Sequence, residues 1–341
     1  MILIKAAVYH GKKNIKIENV PVREIYDDEV LIKVAYCGVC GTDVHIYNGD
    51  GGAFAVTPPL IPGHEFSGVI EKVGGAVKNL QIGDHVSGDP NIMCGKCYFC
   101  RNGMEHFCTD NIGVGTTIDG GFAEFVAMKA SHVFKVPKNL NLLYAAMSEP
   151  VSCCVHGIDL CKIKHGDTVL IMGGGPIGMI SLQLAKLAGA GLVILSEPVE
   201  EKRNLAKKLG ADLVINPIAE NLDEFLAGVT KNVNCVIECV GNVRTQADAL
   251  RVAGKKATVM FFGLVSPDAE LKIKPDMIFK KELTVTSSFI NPYTFPRAVE
   301  LISRGRINFD GIITSVVPLE ELPNILANDE TRRAGKVVVK L

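Results

Sequence analysis

The pattern of apolar residues changes near position 165, and this change limits the folds open to the chain. Up to about Pro150, short β-rich runs such as Phe66–Val73 alternate with glycine and proline turns, which is typical of an all-β region. From His165 onward, apolar strands alternate with helical stretches, beginning with Thr168–Met172 and Ile177–Leu187. Such βαβ units build a doubly wound parallel sheet. The sequence therefore predicts an α/β chain in which a β-rich part precedes a parallel sheet.

A glycine-rich turn joins the first of these strands to the first of these helices. The turn has the G-x-G-x-x-G pattern, and its candidate cofactor-binding residues are Gly173, Gly175, Pro176, Ile177 and Gly178. A pyrophosphate can approach such a turn closely, and the N-terminus of the following helix supplies amides and positive partial charge. A tight strand-to-helix turn that binds nothing is the alternative explanation of the glycines.

An acidic residue further along supports a dinucleotide site. Glu197 ends the next strand, 24 residues after Gly173 (197 minus 173), where a carboxylate would accept hydrogen bonds from the ribose hydroxyls. Because a carboxylate there repels a 2′-phosphate, NAD is favoured over NADP. Lys202 and Arg203 follow closely, so Lys202 is a further candidate cofactor-binding residue and NADP is the less favoured cofactor.

Four cysteines cluster ahead of the parallel-sheet region. Their spacing, C-x2-C-x2-C-x7-C, can surround one tetrahedral zinc ion in a loop whose shape the metal fixes; they are Cys94, Cys97, Cys100 and Cys108. An iron–sulfur cluster and disulfides are the alternatives. No Cys-Pro follows Cys100, as the bacterial ferredoxin pattern would require, and the total of 11 cysteines is odd. A structural zinc site is therefore predicted.

A second set of metal-ligating residue types lies upstream of this cluster. It comprises Cys40 and His45 in one short run and His64 and Glu65 in another. A closed four-cysteine site does not need these side chains. An open site with three protein ligands and a water or substrate does, and that is the arrangement of catalytic zinc.

Composition and charge exclude several classes of protein. The 341 residues suffice for about two domains, and 36 basic against 37 acidic side chains give a formal net charge of −1. No general attraction to nucleic acid or to an anionic membrane is therefore expected. No membrane span or secretory signal is predicted, and the many free thiols favour the cytoplasm.

Together these motifs resemble one family, the zinc-containing medium-chain dehydrogenases, and most of all its polyol and sorbitol dehydrogenase branch. The resemblance covers nearly the whole chain and includes the runs Gly38–His45, Gly63–Glu65, the four-cysteine lobe and Glu149-Pro150. It implies a GroES-like catalytic domain formed by residues 1–150 and 290–341, with a structural zinc lobe at 90–110. It also implies an NAD-binding Rossmann domain at 151–289, and a homodimer or homotetramer.

The resemblance also implies roles for the upstream residues. Cys40, His64 and Glu149 would bind the catalytic zinc, with Glu65 either a ligand or its partner through water. Asp43 would accept a hydrogen bond from the far nitrogen of His64. From the residues alone, His64 could instead be a turn histidine, and Glu149 a helix cap.

The predicted reaction transfers a hydride from a zinc-bound alcohol to the nicotinamide ring. By resemblance the proton leaves through the Thr42 hydroxyl, the nicotinamide ribose and His45, although His45 could be a plain surface residue. The segment Leu283–Phe289 is β-rich and comes last among the Rossmann strands, so we expect it at a sheet edge that pairs two subunits.

The substrate is less sharply predicted. Sorbitol-type enzymes have an Arg-Tyr pair after the position of Phe289, whereas this chain has Ile290-Asn291-Pro292. Asn291 can hydrogen-bond hydroxyls, so a sugar alcohol, diol or polyol phosphate is expected as the small-molecule substrate. L-Threonine 3-dehydrogenase is the alternative activity, and a zinc-dependent NAD-sensing or structural protein is the alternative class.

Overall fold

The computed structural model describes residues 3–50 and 55–341. The chain divides into two compact units, the first comprising Met1–Ser152 with Asn291–Leu341 and the second Cys153–Ile290. The predicted domain boundaries at 150 and 290 differ from these by two residues and by one. No helix in the described ranges combines the length and the apolar character needed to cross a bilayer.

The strands are numbered in chain order. They are β1 (Leu3–Gly11), β2 (Asn14–Pro21), β3 (Glu29–Gly38), β4 (Glu65–Val73), β5 (His85–Gly88), β6 (Asn91–Ile92), β7 (Ile112–Gly113), β8 (Phe125–Lys129), β9 (Val133–Lys135), β10 (Thr168–Met172), β11 (Leu192–Ser196), β12 (Leu213–Ile215), β13 (Cys235–Glu238), β14 (Thr258–Phe261), β15 (Thr284–Ser287), β16 (Ile313–Pro318) and β17 (Lys336–Lys340).

The α-helices follow the same order. They are α1 (Gly41–Asn48), α2 (Tyr98–Arg101), α3 (Leu142–Ala145), α4 (Ser148–Cys161), α5 (Pro176–Leu187), α6 (Glu200–Lys208), α7 (Leu222–Val229), α8 (Val243–Val252), α9 (Pro275–Lys281), α10 (Phe295–Ser303), α11 (Leu322–Ala327) and α12 (Glu330–Ala334). Short 3₁₀ helices occupy Glu105–Phe107, Ala130–His132 and Leu319–Glu321.

The first unit is built on a mixed sheet of seven strands. The order is β16-β17-β3-β4-β5-β9, with β8 also paired to β3, and β1 and β2 form a separate antiparallel pair. The inward side chains of these strands pack with those of α11 around a core that includes Ile32, Phe66 and Phe122. The C-terminal strand β17 lies antiparallel to β3, with Val338 opposite Gly38. Residues from both ends of this unit's sequence therefore meet in one sheet.

The second unit contains a fully parallel sheet of six strands. The order is β12-β11-β10-β13-β14-β15, which is the 3-2-1-4-5-6 order of a Rossmann sheet. Its central strands are apolar on both faces, and all five residues of β10 are buried. The order reverses between β10 and β13, and ligands of such sheets bind at the carboxyl ends of the strands at this point. The predicted α/β fold class is confirmed.

Candidate active site and metal centres

Four cysteines of the first unit surround one small volume. The sulfur atoms of Cys94, Cys97, Cys100 and Cys108 all lie within 4.8 Å of one another. Backbone amides also point at the sulfurs, since the amide of Cys97 donates to Cys94 Sγ at 3.4 Å and that of Asp110 to Cys108 Sγ at 3.4 Å. Four convergent thiol sulfurs, several of which accept hydrogen bonds from backbone amides, fit a tetrahedral zinc ion.

Hydrogen bonding at this cluster favours thiolates. The amides of Cys100 and Thr109 lower the pKa of Cys97 to about 6, and amide donors also lower the pKa of Cys94. Burial and the neighbouring sulfur of Cys97 raise the pKa of Cys100 to about 12, because a second thiolate beside the first is disfavoured. A cation with a 2+ charge removes this conflict, which is a second reason why the donor set fits zinc.

A second group of ligand types comes together at the edge of the mixed sheet. The ligand atoms of Cys40, His64 and Glu65 lie within 4.8 Å of one another. Cys40 is the N-cap of α1 and Glu65 is the first residue of β4, opposite Gly38 at the end of β3. Two adjacent strand ends therefore bring these side chains to one place.

Asp43 is hydrogen-bonded to Cys40 and faces the ring of His64. Its Oδ2 accepts a hydrogen bond from the Cys40 amide at 2.8 Å, which completes a capping box at the start of α1. Its Oδ1 faces His64 Nδ1 at 3.6 Å, and neither buried atom has a hydrogen-bond partner among the described residues. Because Nδ1 points at this carboxylate, Nε2 is the ring nitrogen left for a metal.

The charge of the group also fits a metal ion. Burial lowers the pKa of His64, but the Asp43 carboxylate and the Cys40 sulfur outweigh it, so the pKa of the ring lies well above its ordinary value. This balance reflects an excess of negative charge in a buried place. A site with one sulfur, one imidazole and one carboxylate suits zinc and leaves a coordination position open.

Lys336, which sequence reasoning missed, completes this site. It is the first residue of β17, and its ammonium group forms an ion pair with Glu65 Oε2; the two residues are 5% and 2% exposed. Burial lowers the pKa of Lys336, but the charges of Glu65, Cys40 and Glu149 outweigh this effect and raise it above its ordinary value. A lysine at the start of an apolar terminal strand was the sequence signal for this role.

Glu149 lies outside the group of three, although the family resemblance implies that it is a zinc ligand. It is the second residue of α4 and is buried. Its charge helps to raise the pKa of Lys336, so its carboxylate acts on the same ion pair. The structure therefore brings Glu65 into the group and keeps Glu149 near it.

Thr42 and His45 both lie on α1, three residues apart, and so on one face of the helix. Thr42 Oγ1 is 3.8 Å from Cys40 Sγ. The His45 ring is exposed, with Nδ1 3.9 Å from Asp50 Oδ2. Thr42 therefore lies beside one of the metal-ligating residue types, and His45 lies at the surface on the same face of the helix.

The glycine-rich turn of the second unit has the geometry that its sequence predicts. Gly173 follows β10 with a φ of +102°, and Pro176 begins α5. A β-carbon on Gly178 would lie 1.9 Å from the Gly173 carbonyl oxygen, so no side chain fits between turn and helix. Gly175 is the N-cap, and Ile177 follows in the first turn. The first amides of α5 therefore have no side-chain cap and are available to an anionic ligand.

Glu197 lies directly beside this turn. Its Oε2 accepts a hydrogen bond from the Gly174 amide at 2.7 Å and its Oε1 accepts one from the Val199 amide at 2.9 Å. The guanidinium of Arg203 donates to the carbonyl oxygens of Glu197 at 2.8 Å and Pro198 at 2.6 Å. Lys202, the residue before Arg203 on α6, is half-buried.

The interpretation of Asn291 as a hydroxyl-binding residue is wrong for this structure. Asn291 is 2% exposed, and its amide nitrogen donates to Ser152 Oγ at 2.8 Å and to Asp89 Oδ1 at 3.2 Å. Its carbonyl oxygen accepts a hydrogen bond from Asn91 Nδ2 at 2.6 Å. Because both donor hydrogens are used within the protein, this side chain stabilises the fold.

The fold and these sites define a class of protein, an oxidoreductase that combines a Rossmann sheet with zinc-binding residues. Two family models match the chain, the alcohol dehydrogenase GroES-like domain over residues 26–138 and the zinc-binding dehydrogenase over residues 176–304. The chain belongs to the family of zinc-containing medium-chain alcohol and polyol dehydrogenases.

Individual relatives agree with this assignment. D-arabinitol dehydrogenase 1 of Uromyces fabae is 36% identical over 98% of this chain and 96% of that protein. L-threonine 3-dehydrogenase of Pyrococcus furiosus is 37% identical over 84% of this chain and 83% of that protein. The crystal structure of a zinc-binding dehydrogenase from Sinorhizobium meliloti 1021 bound to NADP has a TM-score of 0.96 and 39% identity, covering 100% of both chains.

Proposed function

We propose that this enzyme oxidises a secondary alcohol group of a polyol, either a sugar alcohol or a related diol or polyol phosphate, to a ketone with NAD. The observation that carries the proposal is the group of half-buried Cys40 with buried His64 and Glu65. A carboxylate in place of a second thiolate makes the site harder, and a hard site suits a substrate rich in oxygen. The similarity to an arabinitol dehydrogenase supports the same substrate class.

Cys40, His64 and Glu65 would hold a catalytic zinc ion, with Glu149 as a further carboxylate of the site. A zinc ion bound there supplies Lewis acidity that lowers the pKa of an alcohol hydroxyl, and NAD supplies the hydride acceptor. Asp43 faces the ring of His64 and favours its charged or metal-bound state, and Lys336 balances the charge of Glu65. The four cysteines of the lobe would hold a second, structural zinc ion.

The proton of the alcohol leaves through Thr42 and His45. A hydroxyl donates and accepts at once, so Thr42 beside Cys40 can pass a proton outward. His45 is exposed and its ring nitrogens can accept and donate, so it can pass that proton to solvent. By resemblance, a bound cofactor would supply its ribose hydroxyls as further groups for this proton transfer.

The cofactor proposal rests on Glu197. Its carboxylate is fixed beside the glycine-rich turn and would repel a 2′-phosphate, which favours NAD. Arg203 lies beside Glu197 and could attract a 2′-phosphate, and the relative from Sinorhizobium meliloti is bound to NADP. We expect a higher kcat/KM with NAD than with NADP, and a smaller difference in the Glu197→Ala variant. A wild type that prefers NADP would contradict this proposal.

The proposed assembly is a homodimer or homotetramer. β15 lies at one edge of the parallel sheet, and its residue Val285 is exposed. Two such edges can pair across a two-fold axis. The eleven cysteines are all free, which supports a reducing compartment such as the cytoplasm.

Substrate identity is tested by a panel of polyols, polyol phosphates, diols and L-threonine with NAD and NADP, with absorbance of the reduced cofactor as the readout. We expect turnover of a polyol or diol that exceeds turnover of threonine. His64→Ala should abolish turnover in folded protein, whereas the control His85→Ala should retain it. Threonine as the best substrate would replace the proposed activity, and no turnover with any alcohol would refute it.

A further inference from the structure

Glu238 is a buried carboxylate that the catalytic mechanism does not use. It is the last residue of β13 and is 0% exposed. Its Oε1 accepts three hydrogen bonds, from the amides of Val240 at 2.7 Å and Gly241 at 3.0 Å and from Thr245 Oγ1 at 2.8 Å. One oxygen atom therefore fixes the loop that joins β13 to α8.

The backbone of Glu238 fixes a second loop. Its carbonyl oxygen accepts hydrogen bonds from the amides of Phe262 and Gly263, both at 2.9 Å, in the segment after β14. A β-carbon on Gly263 would lie 2.2 Å from the Gly241 nitrogen and 3.0 Å from Glu238 Oε2. The two loops therefore lie back to back, with the carboxylate between them.

The first of these loops contacts the glycine-rich turn. A β-carbon on Gly173 would lie 2.9 Å from Val240 Cγ2, and the Cys239 amide donates to the Met172 carbonyl oxygen at 2.9 Å. Val240 is 48% exposed although it follows a buried strand. Its side chain therefore forms part of the surface at the carboxyl edge of β10 and β13, where the strand order reverses.

A carboxylate is a costly residue at this depth. Glu238 Oε2 is buried and has no hydrogen-bond partner among the described residues. Burying a charge, or a polar atom without a partner, is unfavourable. An apolar side chain would fill this position at a lower cost in free energy. The carboxylate is explained by the three hydrogen bonds that its oxygen accepts.

We infer that Glu238 is a positioning residue for the dinucleotide cofactor, acting through Val240 and Gly241 to hold residues 239–241 beside the glycine-rich turn. The inference rests on the proposed binding of NAD or NADP at that turn. Glu238 itself is enclosed and does not touch the cofactor. Its loss should therefore weaken cofactor binding more than it slows the chemical step.

The test compares Glu238→Gln with Glu238→Ala in the full-length, zinc-loaded enzyme. Glutamine keeps an acceptor oxygen at the position of Oε1, so we expect the Kd of NADH to stay within about threefold of the wild-type value. Alanine removes the acceptor from three donors, so the Kd should rise by about tenfold or more. The KM for NAD should rise in parallel, while kcat at saturating NAD should change by less than about threefold.

Glu29→Ala is the matched control. Glu29 is also buried and accepts hydrogen bonds from Arg23 and the Tyr26 amide, but it belongs to the first unit. The Glu29→Ala substitution should lower the melting temperature of the enzyme without changing the Kd of NADH. If Glu238→Ala does not fold, Thr245→Val removes one of the three donors and should still raise the Kd by several fold.

The outcomes separate this inference from the proposed function. A Glu238→Ala enzyme that binds NADH as tightly as the wild type would overturn the inference alone. Equal weakening by Glu29→Ala would also overturn it, because the effect would then follow general stability. A wild type that binds neither NADH nor NADPH would overturn the proposed function together with the inference.

Discussion

Replacing Lys336 with methionine tests whether its buried ion pair with Glu65 organises the proposed catalytic metal site. Both residues are nearly inaccessible, so the substitution leaves the Glu65 carboxylate without its counter-charge. Removing one partner of a buried pair destabilises a protein by about 3–5 kcal/mol. At roughly 2–4 °C per kcal/mol for a unit of this size, the melting temperature of the metal-free protein should fall by about 6–20 °C.

The loss should be smaller in the zinc-loaded protein, because a cation bound to Glu65 supplies the missing positive charge. Calorimetric melting with and without a chelator measures both values, and metal analysis gives the zinc content of each sample. The pKa of Lys336 is raised in the folded protein, so its stabilising effect is complete below the ordinary lysine pKa of about 10.4. The effect is lost only as the pH rises through the raised value, so the difference between variant and wild type should persist at neutral pH.

Two further variants control the experiment. Lys5→Met removes an exposed ion pair with Glu320, which water screens, so a much smaller loss of stability is expected. The double variant Lys336→Met with Glu65→Gln removes both charges and should recover much of the lost stability. If Lys336→Met and Lys5→Met lower the melting temperature of metal-free protein equally, the reasoning about the buried pair is refuted.

Three other substitutions test separate parts of the molecule. Cys97→Ser should remove one of two zinc ions per chain and lower stability, while Cys161→Ser should retain both in metal analysis; one zinc in active wild type would contradict this. The Thr284 amide donates inward to the Ala257 carbonyl oxygen, so the next amide along the strand, that of Val285, points to the free edge of β15. Val285→Pro removes that amide donor and should therefore yield monomers or insoluble protein in light scattering. Burial raises the pKa of Asp89 to about 7, so its ionisation destabilises the fold as the pH rises from about 4 to 7. The free energy of unfolding of Asp89→Asn should therefore exceed that of the wild type by up to about 4 kcal/mol at pH 8, but by little at pH 4. Urea unfolding measures both values, and an equal difference at the two pH values would contradict the raised pKa of Asp89.

The sequence predicts best those features that are local in the chain. The strand, turn and helix around Gly173 follow from a buried apolar run, glycines and Pro176 within a short segment. The cysteine lobe is equally local, because four ligands within a short loop can meet without help from the rest of the fold. In both cases spacing alone limits the geometry, so no knowledge of long-range packing is needed.

Side chains whose environment depends on distant strands are predicted less well. Asn291 looked available because it replaces a substrate-binding pair in a loop, yet Asp89, Asn91 and Ser152 use its donors and its acceptor. These partners come from other parts of the chain, up to 202 residues away. Residue type gave the hydrogen-bonding capacity of Asn291 correctly, but only the fold decides which groups satisfy it.

The partners of buried charged residues are also difficult to predict from the sequence. Lys336 and Glu65 are 271 residues apart (336 minus 65) and meet because β17 returns to lie beside β3 and β4. Glu238 has local partners, but its burial depends on the parallel sheet that encloses it. A charge in an apolar environment needs a partner, and the partner of each carboxylate determines what it can do. Glu65 has a lysine and a place beside Cys40 and His64, whereas Glu238 has two backbone amides and a hydroxyl. The first arrangement sets the charge of the proposed metal site, and the second fixes the shape of a loop.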